Sequence, residues 1–418
     1  TTNNAKIFKK DITLSADDRS KTYGFGLSLG SSAFRVTSGA YVSGESISSV
    51  TLAAASNHDS STTQSVGSYA DEITISSAVG AGGFLHANYD IVYDAGDLTI
   101  DRRAIELTAT NQSKNYGNSL SLGTAAFTKT GGTYANSESA TAVVLTSVNS
   151  YDSGTTQSVA TYSGEIGISA ATGSGGFLES NYDVTYVQGD LTISPRAITL
   201  AADDRTKTYG DTLNLGGSAF SLTSGSFANS ELVSSVSLAS SSNYDSSTTQ
   251  GEGDYADEIT ISGAVGADGF STGNYAITYD AGDLAINQRA ITLRADDRSK
   301  VYGESLVLGS SLFSLTSGSF ANSESVSSVT LNASSSYDSS TTQGVSTYAD
   351  EITISSGIGA DGFITGNYVI TYDSGDLTIS RRPITLQAND QSKTYGDTLS
   401  LGTNGFTTSS GSYANSEM

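Results

Sequence analysis

Tyr-Gly pairs stand at Tyr23, Tyr116, Tyr209, Tyr302 and Tyr395, each 93 residues after the one before. Asn-Tyr pairs beginning at Asn88, Asn181, Asn274 and Asn367 keep the same step. So do Phe34, Phe127, Phe220, Phe313 and Phe406, and Glu45, Glu138, Glu231, Glu324 and Glu417. No insertion or deletion interrupts the step, so the chain reads as a row of small folded units in place of one large core. Residues 8–100, 101–193, 194–286 and 287–379 each make one repeat, and 380–418 make the N-terminal part of a fifth. The remainder of that fifth unit is not found at the N-terminus, so the chain reads as a segment of a longer array, not as one that closes head to tail.

The units meet without a linker. In Gly282-Asp283-Leu284-Ala285-Ile286-Asn287-Gln288-Arg289-Ala290-Ile291-Thr292-Leu293, Leu284 and Ile286 alternate with small or polar neighbours, and so do Ile291 and Leu293. A period of two means two short strands, each with one buried face. In the third unit this reading gives strands at Arg196 to Ala202, at Leu213 and Leu215, at Tyr255 to Ile261, and in a terminal hairpin of Tyr275 to Tyr279 and Leu284 to Ile286, with a further strand or a bend at Phe220 and Leu222. Asp203 to Asp211 reads as a polar turn, Phe227 to Glu231 as one helical turn, and Gly263 to Asn274 as a glycine-rich loop. No segment keeps an apolar period of 3.6. The expected fold class is mostly β, an elongated tandem array of small β domains, each an Ig-like sandwich or a β-grasp-like unit.

Composition narrows the partners. The net charge is −23, from 43 acidic and 20 basic residues. Nucleic acid and anionic membrane surfaces would repel such a chain. There is no cysteine, so disulfides and thiol chemistry play no part. No apolar run approaches the roughly 20 residues of a membrane-spanning helix.

The pattern Arg-Ala-Ile-Thr-Leu, then Lys-Thr-Tyr-Gly-Asp, then Gly-Asn-Tyr-Ala-Ile-Thr-Tyr, then Gly-Asp-Leu-x-Ile resembles the MBG domain of the YGX type in every unit. Members of that family often carry a proline soon after Tyr-Gly, where this chain has Thr212-Leu213-Asn214-Leu215. The resemblance implies a mostly-β repeat in the stalk of a large bacterial adhesin or haemagglutinin-like exoprotein, on the cell surface or secreted. A stalk of this kind would extend a tip domain or build a fibre, matrix or biofilm. Its partners would be the neighbouring repeats and other copies in a fibre.

Candidate chemistry is sparse. His58 and His86 are the chain's two histidines, and the other units carry Tyr151, Tyr244 and Tyr337, or Glu179, Thr272 and Thr365, in their places. Neither a Ser-His-Asp arrangement nor a phosphate loop is present, so no enzyme is expected and no cofactor. Calcium is the metal that the acidic turns suit, because it prefers several carboxylate oxygens around a flexible loop. Asp17, Asp18, Asp203, Asp204, Asp296 and Asp297 are the candidate ligands, with Asp268 from the glycine-rich loop, although the second unit carries Asn111-Gln112 in that turn. The alternative is a solvated acidic turn. Strand direction places these pairs at the seams, opposite Arg103, Arg196, Arg289 and Arg382, which are expected to make the contact between repeats. Lys21, Lys114, Lys207, Lys300 and Lys393 recur, and a lysine beside Asn88 and Glu72 or their equivalents is the arrangement an isopeptide crosslink needs. Finally, Tyr151-Asp152, Tyr244-Asp245 and Tyr337-Asp338 open loops that share Asp-Ser-x-Thr-Thr-Gln. Tyrosine beside such polar groups can stack on sugars, so a multivalent glycan-binding array is the alternative function, set against plain solvated loops.

Overall fold

The computed structural model describes residues 5–418, and strands dominate it. Among the described residues the helical segments are short 3-10 turns such as His86–Asn88. The first copy contains β1 (Lys10–Ala16), β2 (Arg19–Thr22), β3 (Phe34–Gly39), β4 (Ser46–Ala54), β5 (Gly67–Ala81), β6 (Tyr89–Asp94) and β7 (Gly96–Asp101). They form a three-stranded sheet in the order β3-β1-β6 and a four-stranded sheet in the order β4-β5-β7-β2. Strand β1 runs antiparallel to β3 and parallel to β6, with Leu14 opposite Tyr93. Strand β7 runs antiparallel to β5 and parallel to β2. The same two orders recur in the following three copies, and the last stretch contributes a two-stranded sheet of Thr385–Ala388 and Phe406–Ser410.

The two sheets of a copy close on one core. In the fourth copy Leu293 and Ala295 of the smaller sheet meet Val329, Leu331, Ile352, Ile354, Leu377 and Ile379 of the larger one. The alternation along Leu377 and Ile379 delivers this directly, because successive side chains of a strand point to opposite faces. With no helix laid across either sheet among the described residues, the sandwich form of the expectation is the one found and the β-grasp form is not.

Three local readings change. The polar stretch after the first strand is itself partly a strand: Arg205–Thr208 pairs in parallel with Leu284 to Asn287. Its sequence carries no apolar alternation, because it is a sheet edge of four residues whose one buried side chain is Lys207. Leu213 and Leu215 lie in irregular chain instead. The glycine-rich loop is half strand, since Gly253–Ala267 continues to pair as far as Leu232 opposite Ala267. Such a long strand stays in register with its partners only by bulging: Asp257 has φ 53° and Gly263 has φ 59°, and the ladder slips between Tyr255 and Ile259.

By its internal contacts the chain falls into two compact units. One comprises Thr1–Arg196 with Phe227–Ser230 and Gly273–Ala276, the other Ala197–Ser226, Glu231–Thr272 and Ile277–Met418. Each contains a junction between successive copies.

Candidate functional site

In the first unit the junction is built around Glu138. The segment Ala135-Asn136-Ser137-Glu138 is not a helical turn. It is a tight left-handed turn, closed by the Glu138 amide on the Ala135 carbonyl at 2.7 Å, with φ 51° at Asn136 and 63° at Ser137. Asn is among the residues that tolerate this region, which is why it stands there. The turn sends Glu138 inward, where 5% of it remains exposed.

Two tyrosine hydroxyls donate to that carboxylate, one to each oxygen, at 2.6 Å: Tyr23 from the preceding copy and Tyr182 from the same copy. The Tyr182 hydroxyl also accepts the Ala135 amide at 3.0 Å. The two rings meet edge to face with centroids 5.7 Å apart, and Phe177 stacks on Tyr182. Burial raises the pKa of both tyrosines, and the bond to Glu138 raises it further, so the phenols keep their protons. A buried carboxylate is costly unless its oxygens are satisfied. Here two hydroxyls and the Asn136 side-chain amide satisfy it, with no cation at ion-pair distance among the described residues.

Around this centre side chains of the second copy hold the backbone of the first. Asn181 Oδ1 accepts the Val66 amide at 3.1 Å, and Asn136 Nδ2 donates to the Thr62 carbonyl at 2.8 Å. Gly24 presses on Ala135 so closely that a Cβ built on it would lie 2.5 Å from the alanine methyl. Arg103 donates from Nη1 to the Tyr23 carbonyl and from Nε to the Thr133 carbonyl, and lies 4.4 Å over the Phe25 ring.

The second unit repeats the arrangement. Tyr209 and Tyr368 both donate to Glu324, their rings 5.7 Å apart. Asn367 Oδ1 accepts the Glu252 amide, and Asn322 donates to the Thr248 carbonyl. Further along, Tyr302 donates to Glu417 at 2.6 Å. The recurrence of Glu45 and its counterparts was plain in the sequence, but nothing in spacing alone pairs that glutamate with a tyrosine 115 residues earlier.

The four arginines all bind at the carbonyl of a Tyr-Gly tyrosine: Arg103 at Tyr23, Arg196 at Tyr116, Arg289 at Tyr209 and Arg382 at Tyr302. Their acidic partners are not the predicted pairs. Arg289 meets Asp211 at 2.8 Å and Arg382 meets Glu304 at 3.6 Å, both residues lying just after a Tyr-Gly pair. Arg196 takes Asn118 Oδ1 at the same place. The acidic pairs stay within their own copies. Asp17 binds Arg35 at 2.7 Å, and Asp18, Asp204 and Asp297 each accept a backbone amide, from Asp97, Asp283 and Asp376. Asn111 accepts the Asp190 amide in the same way, so the position needs a side-chain oxygen and not a charge. Asp297 also binds Arg294. Asp203 donates its own amide to the Ala219 carbonyl, and Asp296 does likewise to Leu312. Asp268 sits in a separate exposed turn with φ 56°. Among the described residues no three acidic or histidine side chains converge as a cation site would need, so the calcium candidates are not brought together.

The Asp-Ser-x-Thr-Thr-Gln loops are braced from inside. Lys114 Nζ, nearly buried, donates to the carbonyls of Tyr151, Asp152 and Gly154. Lys207 does the same to Tyr244 and Ser247, and Lys300 to Tyr337, Asp338 and Ser340. Burial lowers the pKa of each of these lysines, partly offset by the nearby aspartate. From the other side, Glu165 accepts the amides of Asn149 and Tyr151, and Glu258 accepts the Ser242 amide and the hydroxyls of Ser240 and Ser241. Burial alone would push the Glu258 carboxyl up, but those donors outweigh it and hold it at about 2. One buried cation thus collects carbonyls, and one buried anion collects amides and hydroxyls. The lysine is committed to this loop while Asn181 and Asn367 serve the junctions, so the crosslink arrangement is not assembled. The loop tyrosines are half-buried and pack edge-on to a second tyrosine: Tyr151 on Tyr162, Tyr244 on Tyr255, Tyr337 on Tyr348. Asp152, Asp245 and Asp338 each give a carbonyl to the amide of Leu120, Leu213 or Leu306 at 2.7 Å. His58 takes the tyrosine's place in the first copy, with Nδ1 3.5 Å from Glu72, and His86 is exposed.

Residues 12–99, 198–285 and 291–378 match the MBG domain (YGX type) family. The chain belongs to that family. No curated protein matches it. The MBG repeats therefore stand in tandem, and the stretch between the first two matches carries the same strand order as its neighbours, from Arg103–Ala109 to Gly189–Ser194. No helix among the described residues is long and apolar enough to cross a membrane.

Proposed function

We propose that this MBG repeat region is the stalk of a bacterial surface adhesin or extracellular fibre, with a mechanical and spacing role and no catalysis. The observation that carries it is the junction. Successive repeats meet through a desolvated tyrosine–glutamate–tyrosine cluster and through side chains of the later repeat bonded to the backbone of the earlier one, with no flexible tether between them. A region that only displayed independent binding modules would have no use for such contacts, whereas a load-bearing one transmits force through them. The extracellular setting follows the same reading, as does a partner list limited to neighbouring repeats and other copies in a fibre.

Single-molecule pulling on the whole chain tests this. Each repeat should unfold as its own event, with steps of roughly 300 Å expected from 93 residues at about 3.3–3.6 Å each, less the folded length. A chain that extends without discrete events would end the stalk reading. The glycan-binding alternative is favoured by no contact in the loops, whose tyrosine rings and carbonyls are engaged within the protein. A glycan array probed with the same chain would revive it if binding appeared and was lost on Tyr244→Ala.

A further inference from the structure

The first repeat presents the receiving half of a junction with no neighbour seated in it among the described residues. Val42, Glu45, Asn88 and Tyr89 stand where Ala135, Glu138, Asn181 and Tyr182 stand in the second repeat. The socket is formed in the same way: the Tyr89 hydroxyl donates to Glu45 and accepts the Val42 amide at 3.0 Å, and Phe84 stacks on Tyr89. In the filled socket Tyr23 takes the second glutamate oxygen and the Val66 amide takes the asparagine oxygen. In the first repeat neither group has that partner, and a cavity of about 550 Å³ opens between Glu45, Asn88, Tyr89 and Val42, flanked by Lys10 and by the exposed Phe8. Asn88 is exposed, whereas Asn181, Asn274 and Asn367 are buried.

We infer that this socket is a docking site for the Tyr-Gly turn of a further complete MBG repeat, whose tyrosine hydroxyl would bind Glu45 and whose loop amide would bind Asn88. The inference does not depend on the stalk reading; it needs only the junction geometry already described. Continuity with the filled junctions names the occupant. Lys10 holds the place of Arg103 and supplies the cation that reaches the turn carbonyl. Three further positions differ and set how tightly the turn seats. Val42 replaces the alanine on which Gly24 presses, and Ser43-Gly44 replaces Asn136-Ser137, removing the side-chain amide that binds the Thr62 carbonyl. The seating should be weaker than at the other junctions, and a smaller residue at 42 should improve it.

The experiment places one more repeat, a copy of residues 101–193, directly before Phe8 so that the 93-residue step is kept, and follows amide hydrogen exchange at residues 42–45 and 87–89. Exchange there should slow by about tenfold or more relative to the parent chain, and Val42→Ala should slow it further. Replacing the added copy's junction tyrosine by phenylalanine removes only the hydroxyl and should return most of the loss, in keeping with a bond to a charged acceptor. Unchanged exchange on adding the repeat would overturn the inference. So would protection indifferent to that hydroxyl, because the added domain would then be shielding the surface without using the socket.

Discussion

The hydroxyl of Tyr209 is bound by the carboxylate of Glu324, 115 residues further along the chain and in the next repeat. A tyrosine that recurs in a chain without tryptophan is expected to fill the core of its own unit, with its hydroxyl bonded to backbone. Tyr209 is buried, but its hydrogen bond belongs to its neighbour, so its removal should be felt across the junction. Tyr209→Phe should cost about 1.5–3 kcal/mol, the range for a bond to a charged group. Tyr209→Ala should cost about 3–5 kcal/mol. A double-mutant cycle with Glu324→Gln, read by urea unfolding, should show the two changes costing less together than separately. Strict additivity would mean that the hydroxyl and the carboxylate do not depend on each other.

The acid limb of stability should depend on the loop glutamates. Glu258 is held at about 2, against 4.5 for a free side chain, and Glu165 is lowered in the same direction. A carboxylate with a depressed native pKa contributes stability that is complete above the unfolded value and is lost as pH falls through the native one. The window is therefore from about pH 4.5 down to about pH 2, and the contribution of Glu258 is on the order of 2 kcal/mol after allowance for relaxation. Glu258→Gln should lower stability at pH 7 and flatten its fall between those limits. An unchanged slope would place the acid sensitivity elsewhere.

The alkaline limb should follow the junction tyrosines. Tyr23, Tyr182, Tyr209 and Tyr368 all have pKa values raised by burial and by their glutamate. A raised value contributes stability that is present below the unfolded value near 10 and is lost as pH climbs beyond it. The loop lysines work in the opposite sense: their lowered values cost stability at neutral pH, and that cost fades as pH rises toward 10.5. Unfolding should accordingly begin only above pH 10, with tyrosinate absorbance of the junction residues appearing together with loss of structure. Ionisation of these tyrosines well before unfolding would contradict the buried cluster.

The two halves of the design differ in how far a reader could foresee them. Strands such as Leu284 and Ile286 announce themselves, because a half-buried strand writes its burial into the sequence at a period of two. The arginines were found because they stand beside the seam in every repeat. The loop lysines and glutamates recurred just as strictly, yet their role was invisible. A charge that is satisfied by backbone carbonyls or amides leaves no complementary side chain to notice. The edge strand Arg205–Thr208 was missed for a related reason, since its buried residue is a lysine and lysine is read as solvated.

That lysine leads to a prediction about cations. Lys207 supplies the positive charge that the carbonyls of Tyr244 and Ser247 would otherwise seek from an ion. Lys207→Met keeps the length of the chain and removes the charge, leaving those carbonyls to lose charge-assisted bonds worth about 1.5–3 kcal/mol each before relaxation. The third repeat should melt earlier by several degrees. A chelator should leave the parent chain's melting unchanged. A fall on chelation would restore calcium to the account and point back to Asp203, Asp204 and Asp268.

Two glycines separate the junction from ordinary turn chemistry. Gly210 has φ 87° and Gly216 has φ 64°, so alanine at either must adopt a left-handed backbone, at a cost of roughly 1–2 kcal/mol. Their surroundings differ. A Cβ at Gly216 would meet nothing within 4 Å, whereas one at Gly210 would overlap the methyl of Ala321 in the next repeat. Gly216→Ala should therefore show the backbone cost alone. Gly210→Ala should add the separation of two packed repeats, and the added loss should appear as faster amide exchange at Glu252, whose amide is bound by Asn367 across the same junction at 3.0 Å. Replacing Ala321 by glycine in the Gly210→Ala background frees the space that the new methyl needs and should slow that exchange again. If the two glycine variants lose the same stability, the close approach of Gly210 to Ala321 does not hold the repeats together, and the tyrosine–glutamate cluster and the Asn367, Asn322 and Arg289 bonds around it must do so.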